Sequence, residues 1–385
     1  MFQVRHRVKN TLVGMLFGLV MVPGTIALHA WNEYRTVHRT RGLSEAERDV
    51  QTISDNRTVD KHLDGKLVHL TGFAGTDEVL RDEKFGVETN AVRLARQVEM
   101  YQWKEESRNH NNRTTYSYTR TWSDGRIDSD QFHETAGHVN PKPHFASLDI
   151  VAKRVEVGAF ELSESMKRAM RPWVGIEFDS ARFADMVREE DRSWFRFEGK
   201  YAYWNEQGQL NPASPQVGDH RIHFEKIAPG EVSLIAKQVG SKFMVYKTSN
   251  GEQIERLYSG KFTAAEVIDK LRTENTVMAF VLRGVEYVVC WLGFMMILGP
   301  IRKVASFIPI VGELTGGLLF IVSVLLAFIV SSTTIAIAWI AVRPLFGIGL
   351  LVAVGLAVFA LYRLRKKHPP NPVLQPPILE PIIPT

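Results

Sequence analysis

The chain has 385 residues, a formal net charge of +5 and a single cysteine, Cys290. One cysteine excludes an intrachain disulfide, a two-cysteine redox motif and a cysteine-rich zinc site. The basic excess does not read as a nucleic-acid footprint, because the basic residues gather at the ends of apolar runs without a zinc pattern or an aromatic RNA-binding motif. Polarity is segregated: residues 31–275 are polar and charged, whereas residues 11–30 and 276–362 are nearly continuous apolar runs. The pattern implies an integral membrane α-helical bundle of four transmembrane helices. A large β-rich α+β extramembrane domain is inserted between helices 1 and 2.

Residues 1–10 carry Arg5, Arg7 and Lys9, the signature of a cytoplasmic N-terminus. Residues 11–30, "TLVGMLFGLVMVPGTIALHA", form the first span, since twenty residues at ~1.5 Å rise match a ~30 Å hydrocarbon core. A cleaved signal peptide fits less well, because the apolar core is long and only "TIA" resembles a cleavage site. Gly14 and Gly18 have the G-x-x-x-G spacing that lets helices approach closely.

Residues 31–275 show mainly the period of two that marks strands. In "AVRLARQVEMYQW" one face carries Val92, Leu94, Val98 and Met100, with Arg96 the exception, and in "TTYSYTRTW" one face carries Tyr116, Tyr118 and Trp122. The polar connector "EESRNHNNR" predicts a hairpin between them, and "SWFRFEGKYAYW" predicts a second, turning at Glu198 to Lys200. Further strands are expected at "KLVHLTGF", "HRIHFEKI", "EVSLIAKQV" and "SKFMVYKT", and short helices at "ELSESMKRAM" and "SARFADMVREE". Thr263 and Glu266 have capping-box spacing, so "GKFTAAEVIDKLRTEN" is expected to start a helix that runs without a break into the second span.

Residues 276–301 form the second span and contain Arg283 and Glu286. With the outer boundary near Val281, Arg283 can snorkel to the interface, while Glu286 lies about 7 Å deeper. At i and i+3 the two share a helical face and can pair, and Glu286 reads as a structurally paired group, within or between copies, rather than a permeation site. Residues 302–315 read as a cytoplasmic interfacial loop with Arg302 and Lys303. Residues 316–340 and 345–362 form spans three and four, joined by a tight hairpin turn at Arg343 and Pro344. Ser331, Ser332, Thr333 and Thr334 place hydroxyls inside span three. Residues 363–385 form a basic, proline-rich cytoplasmic tail. With four spans, all three basic clusters fall on the cytoplasmic side and the insert on the other.

Catalytic signals are weak. "HETAGH", His133 to His138, spaces its histidines five apart, about 140° around a helix, where zinc ligation needs four. Gly137 and the flanking "SDG" and "NPKP" also argue for a loop. His220 and His223 fall on opposite faces of a strand. No catalytic, cofactor-binding or metal-ligating residue is assigned. Asn56-Arg57-Thr58 and Asn112-Arg113-Thr114 are sequons that matter where the host glycosylates the translocated side.

Seven short motifs occur in order between residues 100 and 345: "MYQW", "YSYTRTW", "GHVNP", "VGDHRIHF", "IAKQVG", "SGKFTAAEV" and "WIAVRPL". Together they resemble the LUMA family, four-span proteins of the endoplasmic reticulum and inner nuclear membrane. The resemblance implies both termini on the cytoplasmic or nucleoplasmic side, a lumenal domain, self-association, and a role in organising membrane-protein complexes. Links to emerin and lamins belong to animal members, and the proline-rich tail departs from the animal pattern. In a bacterial member, inner-membrane anchoring would make the insert periplasmic. The family offers no catalytic residues to carry over.

The expectation is therefore a non-enzymatic membrane scaffold whose partners are the lipid bilayer, further copies of itself and other membrane proteins, with no nucleic acid. The alternative is an oligomeric ion channel or transporter built on Arg283 and Glu286 with the hydroxyl run of span three. A membrane-anchored hydrolase has only "HETAGH" behind it.

Overall fold

The computed structural model describes residues 2–110, 113–177, 189–206, 208, 210–305, 309–340 and 344–366. The helix expected over 180–190 lies mostly outside them, as do Asn112 of the second sequon, Arg343 of the hairpin turn and the proline-rich end of the tail. The chain divides into two compact units: a helical unit, residues 1–41 with 272–385, and a sheet unit, residues 42–271.

The helical unit draws on four helices: α1 (Phe2–Asp49), α3 (Ala264–Ala305), α4 (Pro309–Ile340) and α5 (Pro344–Lys366). Among the described residues, α1, α3 and α4 are long and apolar enough to cross a membrane, while α5 offers the shorter apolar stretch Leu351–Ala360. Their outward faces are apolar, with Leu16, Val20, Phe280, Val281, Ile321 and Phe328 all exposed. That is the arrangement of helices solvated by lipid.

The helices are longer than the hydropathy runs. α1 continues to Asp49 through helix-forming Glu, Arg, Leu and Ala residues, so hydropathy marked the lipid-facing length and missed the polar continuation. The expected loop over 302–315 is mostly helical, since α3 continues to Ala305 and α4 starts at Pro309. Pro300 lies inside α3 rather than ending it. Proline at the first position of α4 and of α5 fits, because its fixed φ suits a helix start and its missing N–H would be unpaired there anyway.

The sheet unit holds two seven-stranded sheets and two small hairpins. In the first sheet Leu67–Gly75 pairs antiparallel with Gly230–Val239 over eight residues, and the strands Glu156–Val157, Phe160–Glu161 and Lys242–Met244 close a ring of pairings between them. Arg256–Ser259 and the short parallel strand Gln51–Thr52 complete it. In the second sheet the order is Phe195–Glu198, Tyr201–Trp204, His220–Ile227, Arg93–His110 and Arg113–Ser123, with Val174–Ile176 and Leu148–Val151 at its flanks. The hairpin at Glu198 turns where Gly199 adopts φ +58°, a conformation glycine enters without strain. Within the connector, Glu105 to His110 are strand rather than loop: pairing persists to His110 and Arg113, lengthening the ribbon.

Between the sheets, Val68, Leu70, Val92, Leu94, Val98, Ile222, Phe224 and Leu234 join one core. Arg96, the odd residue on its strand face, is also buried. Its guanidinium donates to both oxygens of Asp82 at 2.9 and 2.7 Å and to the Ala146 carbonyl at 3.0 Å, and it lies over the Phe85 ring. Asp82 in turn accepts from the Lys84 and Phe85 backbone N–H groups, so the buried charges are paired and hydrogen-bonded. A short helix, α2 (Glu164–Ala169), is capped by Ser163, which accepts from the Met166 N–H.

A second core joins the ends of two long helices to the first sheet. Leu43 and Ala46 of α1 meet Val267, Ile268 and Leu271 of α3 together with Leu67, Ile235 and Ile254. The capping box starts α3 as expected: the Glu266 carboxylate accepts from the Thr263 N–H at 2.8 Å, and the Glu266 N–H donates to the Thr263 hydroxyl at 3.3 Å.

His220 is buried among Phe145, Trp204 and His144, and its Nε2 accepts from the His144 backbone N–H at 3.1 Å. Burial, reinforced by the neighbouring His144, holds its pKa down at about 4. Above pH ~6.5 neither folded nor unfolded chain protonates this group, and its neutral form is fully compatible with the fold. Between about 6.5 and about 4 only the unfolded chain takes the proton, so stability falls by about 1.4 kcal/mol per pH unit from this group. Unfolding of the full chain followed by circular dichroism across this range should show a shallower pH dependence for His220→Gln than for the wild type.

Candidate functional site

The buried polar groups that α1 and α3 contribute to the helical unit lie on one seam. Along α1, Thr25, His29, Asn32, Glu33, Thr36 and Thr40 recur at spacings of three and four, which brings them to one helical face. Along α3, Asn275, Ala279, Arg283, Glu286, Cys290 and Gly293 do the same. The two stripes meet antiparallel: Gly18 faces Gly293, His29 faces Glu286, Glu33 faces Arg283 and Thr36 faces Asn275.

The outer part of the seam is an ion pair. Arg283 Nε donates to Glu33 Oε1 at 2.6 Å and Nη2 to Oε2 at 2.8 Å, a two-pronged contact matching guanidinium to carboxylate. Trp339 of α4 donates its indole N–H to the same Oε2 at 2.6 Å, and its ring lies 5.5 Å from the guanidinium. Glu33 is 2% exposed, so three helices converge on one buried carboxylate. Next to it, Asn32 Nδ2 donates to the Ala279 carbonyl at 3.2 Å.

One turn deeper, His29 Nδ1 lies 2.6 Å from Glu286 Oε2, in ion-pair range though off the hydrogen-bond direction. The other ring nitrogen, Nε2, is 3.0 Å from the Ser331 hydroxyl of α4. Cys290 lies beside Thr25 and Ser331 and is buried. Tyr287 and Trp291 then tie α3 to α4, donating to the Val324 carbonyl at 3.3 Å and the Ser323 hydroxyl at 3.0 Å.

Arg283 and Glu286 therefore do not pair with each other. Each finds a partner on α1, because the antiparallel stripe offers Glu33 and His29 at matching heights. In the hydroxyl run, Ser331 joins the cluster, Thr334 donates to the Val330 carbonyl of its own helix at 2.8 Å, and Ser332 and Thr333 are half-buried outside it. Of the two glycines, Gly18 is a packing position: a Cβ there would lie 2.5 Å from the Gly293 carbonyl oxygen. Gly14 has nothing within 4 Å of an added Cβ. Pro344 begins α5.

Elsewhere, His133 and His138 sit on a loop, stacked on Tyr116 at 4.1 Å and Tyr118 at 3.8 Å. The Tyr118 hydroxyl donates to Glu105, and the Glu134 N–H donates to Tyr118, so "HETAGH" packs against the ribbon. Asn140 of "GHVNP" anchors the same loop, accepting from the Trp103 N–H at 2.7 Å and donating to the Trp103 and Ile127 carbonyls. Among the described residues, no group of three or more His, Cys, Asp or Glu side chains is arranged to hold a metal ion.

A family model for Transmembrane protein 43 matches residues 100–344. The chain belongs to the Transmembrane protein 43 family. This is the LUMA family that its ordered motifs resemble. It is 31% identical to a Transmembrane protein 43 homolog of Drosophila melanogaster, over 88% of this chain and 91% of that relative. It is 28% identical to Transmembrane protein 43 of Homo sapiens, over 94% and 92% of the two chains, and 27% identical to that of Mus musculus, over 92% and 91%. No solved structure matches. The family-matched stretch carries Arg283, Glu286, Ser331 and Trp339, whereas His29 and Glu33 precede it.

Two expectations follow from the seam. Arg283→Ala strands the Glu33 carboxylate and should cost about 3–5 kcal/mol, whereas the double variant Glu33→Leu, Arg283→Met should recover most of that loss. Gly18→Ala should lower the thermal midpoint in detergent, while Gly14→Ala leaves it unchanged. Thermal unfolding of the purified chain followed by circular dichroism checks both.

Proposed function

We propose that this integral membrane protein is a non-catalytic scaffold that self-associates and assembles other membrane proteins. The observation that carries this reading is the mutual pairing of the ionisable groups in the helical unit, Arg283 with Glu33 and Glu286 with His29. A permeation path needs charged groups lining water-filled space and free to exchange partners. Here they are cross-braces between α1, α3 and α4, which supports a structural role over a conducting one.

The sheet unit supplies a surface suited to association. Arg113–Ser123 ends its sheet, pairing with Arg93–His110 on one side and with no described strand on the other. An open strand edge is a template for pairing with another chain.

The proposal takes α5 as a fourth span. With four spans, the basic residues near Arg5, Arg302 and Arg363 share the cytoplasmic side with both termini. The sheet unit is then extracytoplasmic, in the lumen of the endoplasmic reticulum and nuclear envelope that the LUMA resemblance implies.

Light scattering of the full chain should give a dimer or larger assembly both in detergent and in nanodiscs. In a Cys290→Ala background, Thr119→Cys on the open strand should cross-link between copies. A monomer in both environments overturns self-association.

A further inference from the structure

A cavity of about 380 Å³ lies between α1 and α3, closed at one side by Trp339 of α4. We propose that it holds the phosphate-bearing head of one anionic phospholipid, independently of whether the protein self-associates. Its height is that of the membrane–water interface. Trp31 and Tyr34, which flank the lining residue Glu33 in sequence, are exposed, and exposed Trp and Tyr settle at the headgroup level.

The lining is cationic and has hydrogen-bond donors to spare. Two guanidiniums, Arg41 and Arg283, face one carboxylate, Glu33, leaving one net positive charge. Arg283 engages Glu33 through Nε and Nη2 only, so both N–H groups of Nη1 are free of protein partners among the described residues. Arg41, exposed at the rim, makes no ion pair among the described residues.

The hydroxyls do not compete for this role. Thr36, Thr40 and Thr276 donate to carbonyls of their own helices, those of Asn32, Thr36 and Arg272. Anion recognition therefore rests on the two arginines, and a guanidinium fork matches phosphate oxygens well. The remaining walls, with Phe280 and Trp339, are apolar, and Phe280 continues onto the exposed face of α3 beside Val277 and Val281. A ligand with one negative phosphodiester and attached acyl chains meets all three features: net charge, free donors, and an apolar exit towards lipid.

The test uses the full-length protein in detergent, titrated with phosphatidylglycerol or with phosphatidylcholine and read by native mass spectrometry. One phosphatidylglycerol should be retained, about tenfold more tightly than the zwitterionic lipid, as expected for one charge-assisted hydrogen-bonded contact. Arg41→Gln, at an exposed position, should weaken retention about tenfold, and Thr276→Trp, which fills the cavity mouth, should abolish it. Both variants should keep the wild-type thermal midpoint. Equal retention of the two lipids, or unchanged retention in both variants, overturns the proposal. Displacement by glycerol 3-phosphate as effective as displacement by intact lipid identifies a soluble phosphoester as the ligand and overturns the lipid assignment.

Discussion

Glu33 and Arg283 set the register of the helical unit. Once this two-pronged pair forms, a rise of ~1.5 Å per residue on two antiparallel helices places His29 opposite Glu286, one turn deeper. Further along, the same register brings Gly18 against Gly293, where neither residue has a Cβ to hold the backbones apart. In lipid the apolar faces of helices have little preference for one another over the solvent, so register has to come from polar pairs and small residues. α4 joins the same register through Trp339 on Glu33 and Ser331 on His29.

The sheet unit solves a related problem with different materials. Its core encloses Arg96 and Asp82, and the carboxylate also receives two backbone N–H groups. His220 takes the opposite course and stays neutral among aromatic rings. Arg96 and His220 thus illustrate two ways to bury a polar group: charge matched to charge where a partner is near, and neutrality where rings surround the group.

What the sequence revealed depended on how local the determining contacts are. The capping box at Thr263 and Glu266 was legible because both partners lie within one helical turn. "HRIHFEKI" was legible because one face of the strand is buried and the period of two survives. The part of the ribbon from Glu105 to His110 was read as a connector, since solvent on both faces leaves it polar throughout. The pairing open to Arg283 in the sequence was with Glu286, its helical neighbour, because its actual partner is 250 residues away. The α1 half of the seam carried a signal that went unused: Thr25, His29, Asn32 and Thr36 recur at helical spacing across the end of an apolar run.

That separation also shapes how the chain is made. α1 reaches the membrane with His29 and Glu33 already in it, about 250 residues before Arg283 is synthesised. At about 5–20 residues per second the wait is roughly 12–50 s. During that interval the Glu33 carboxylate has no guanidinium, and its place near the end of the apolar run lets water solvate it. His29, deeper, can wait as a neutral ring. The position of each ionisable group along α1 thus suits a helix that must be tolerable alone before it becomes one side of a seam.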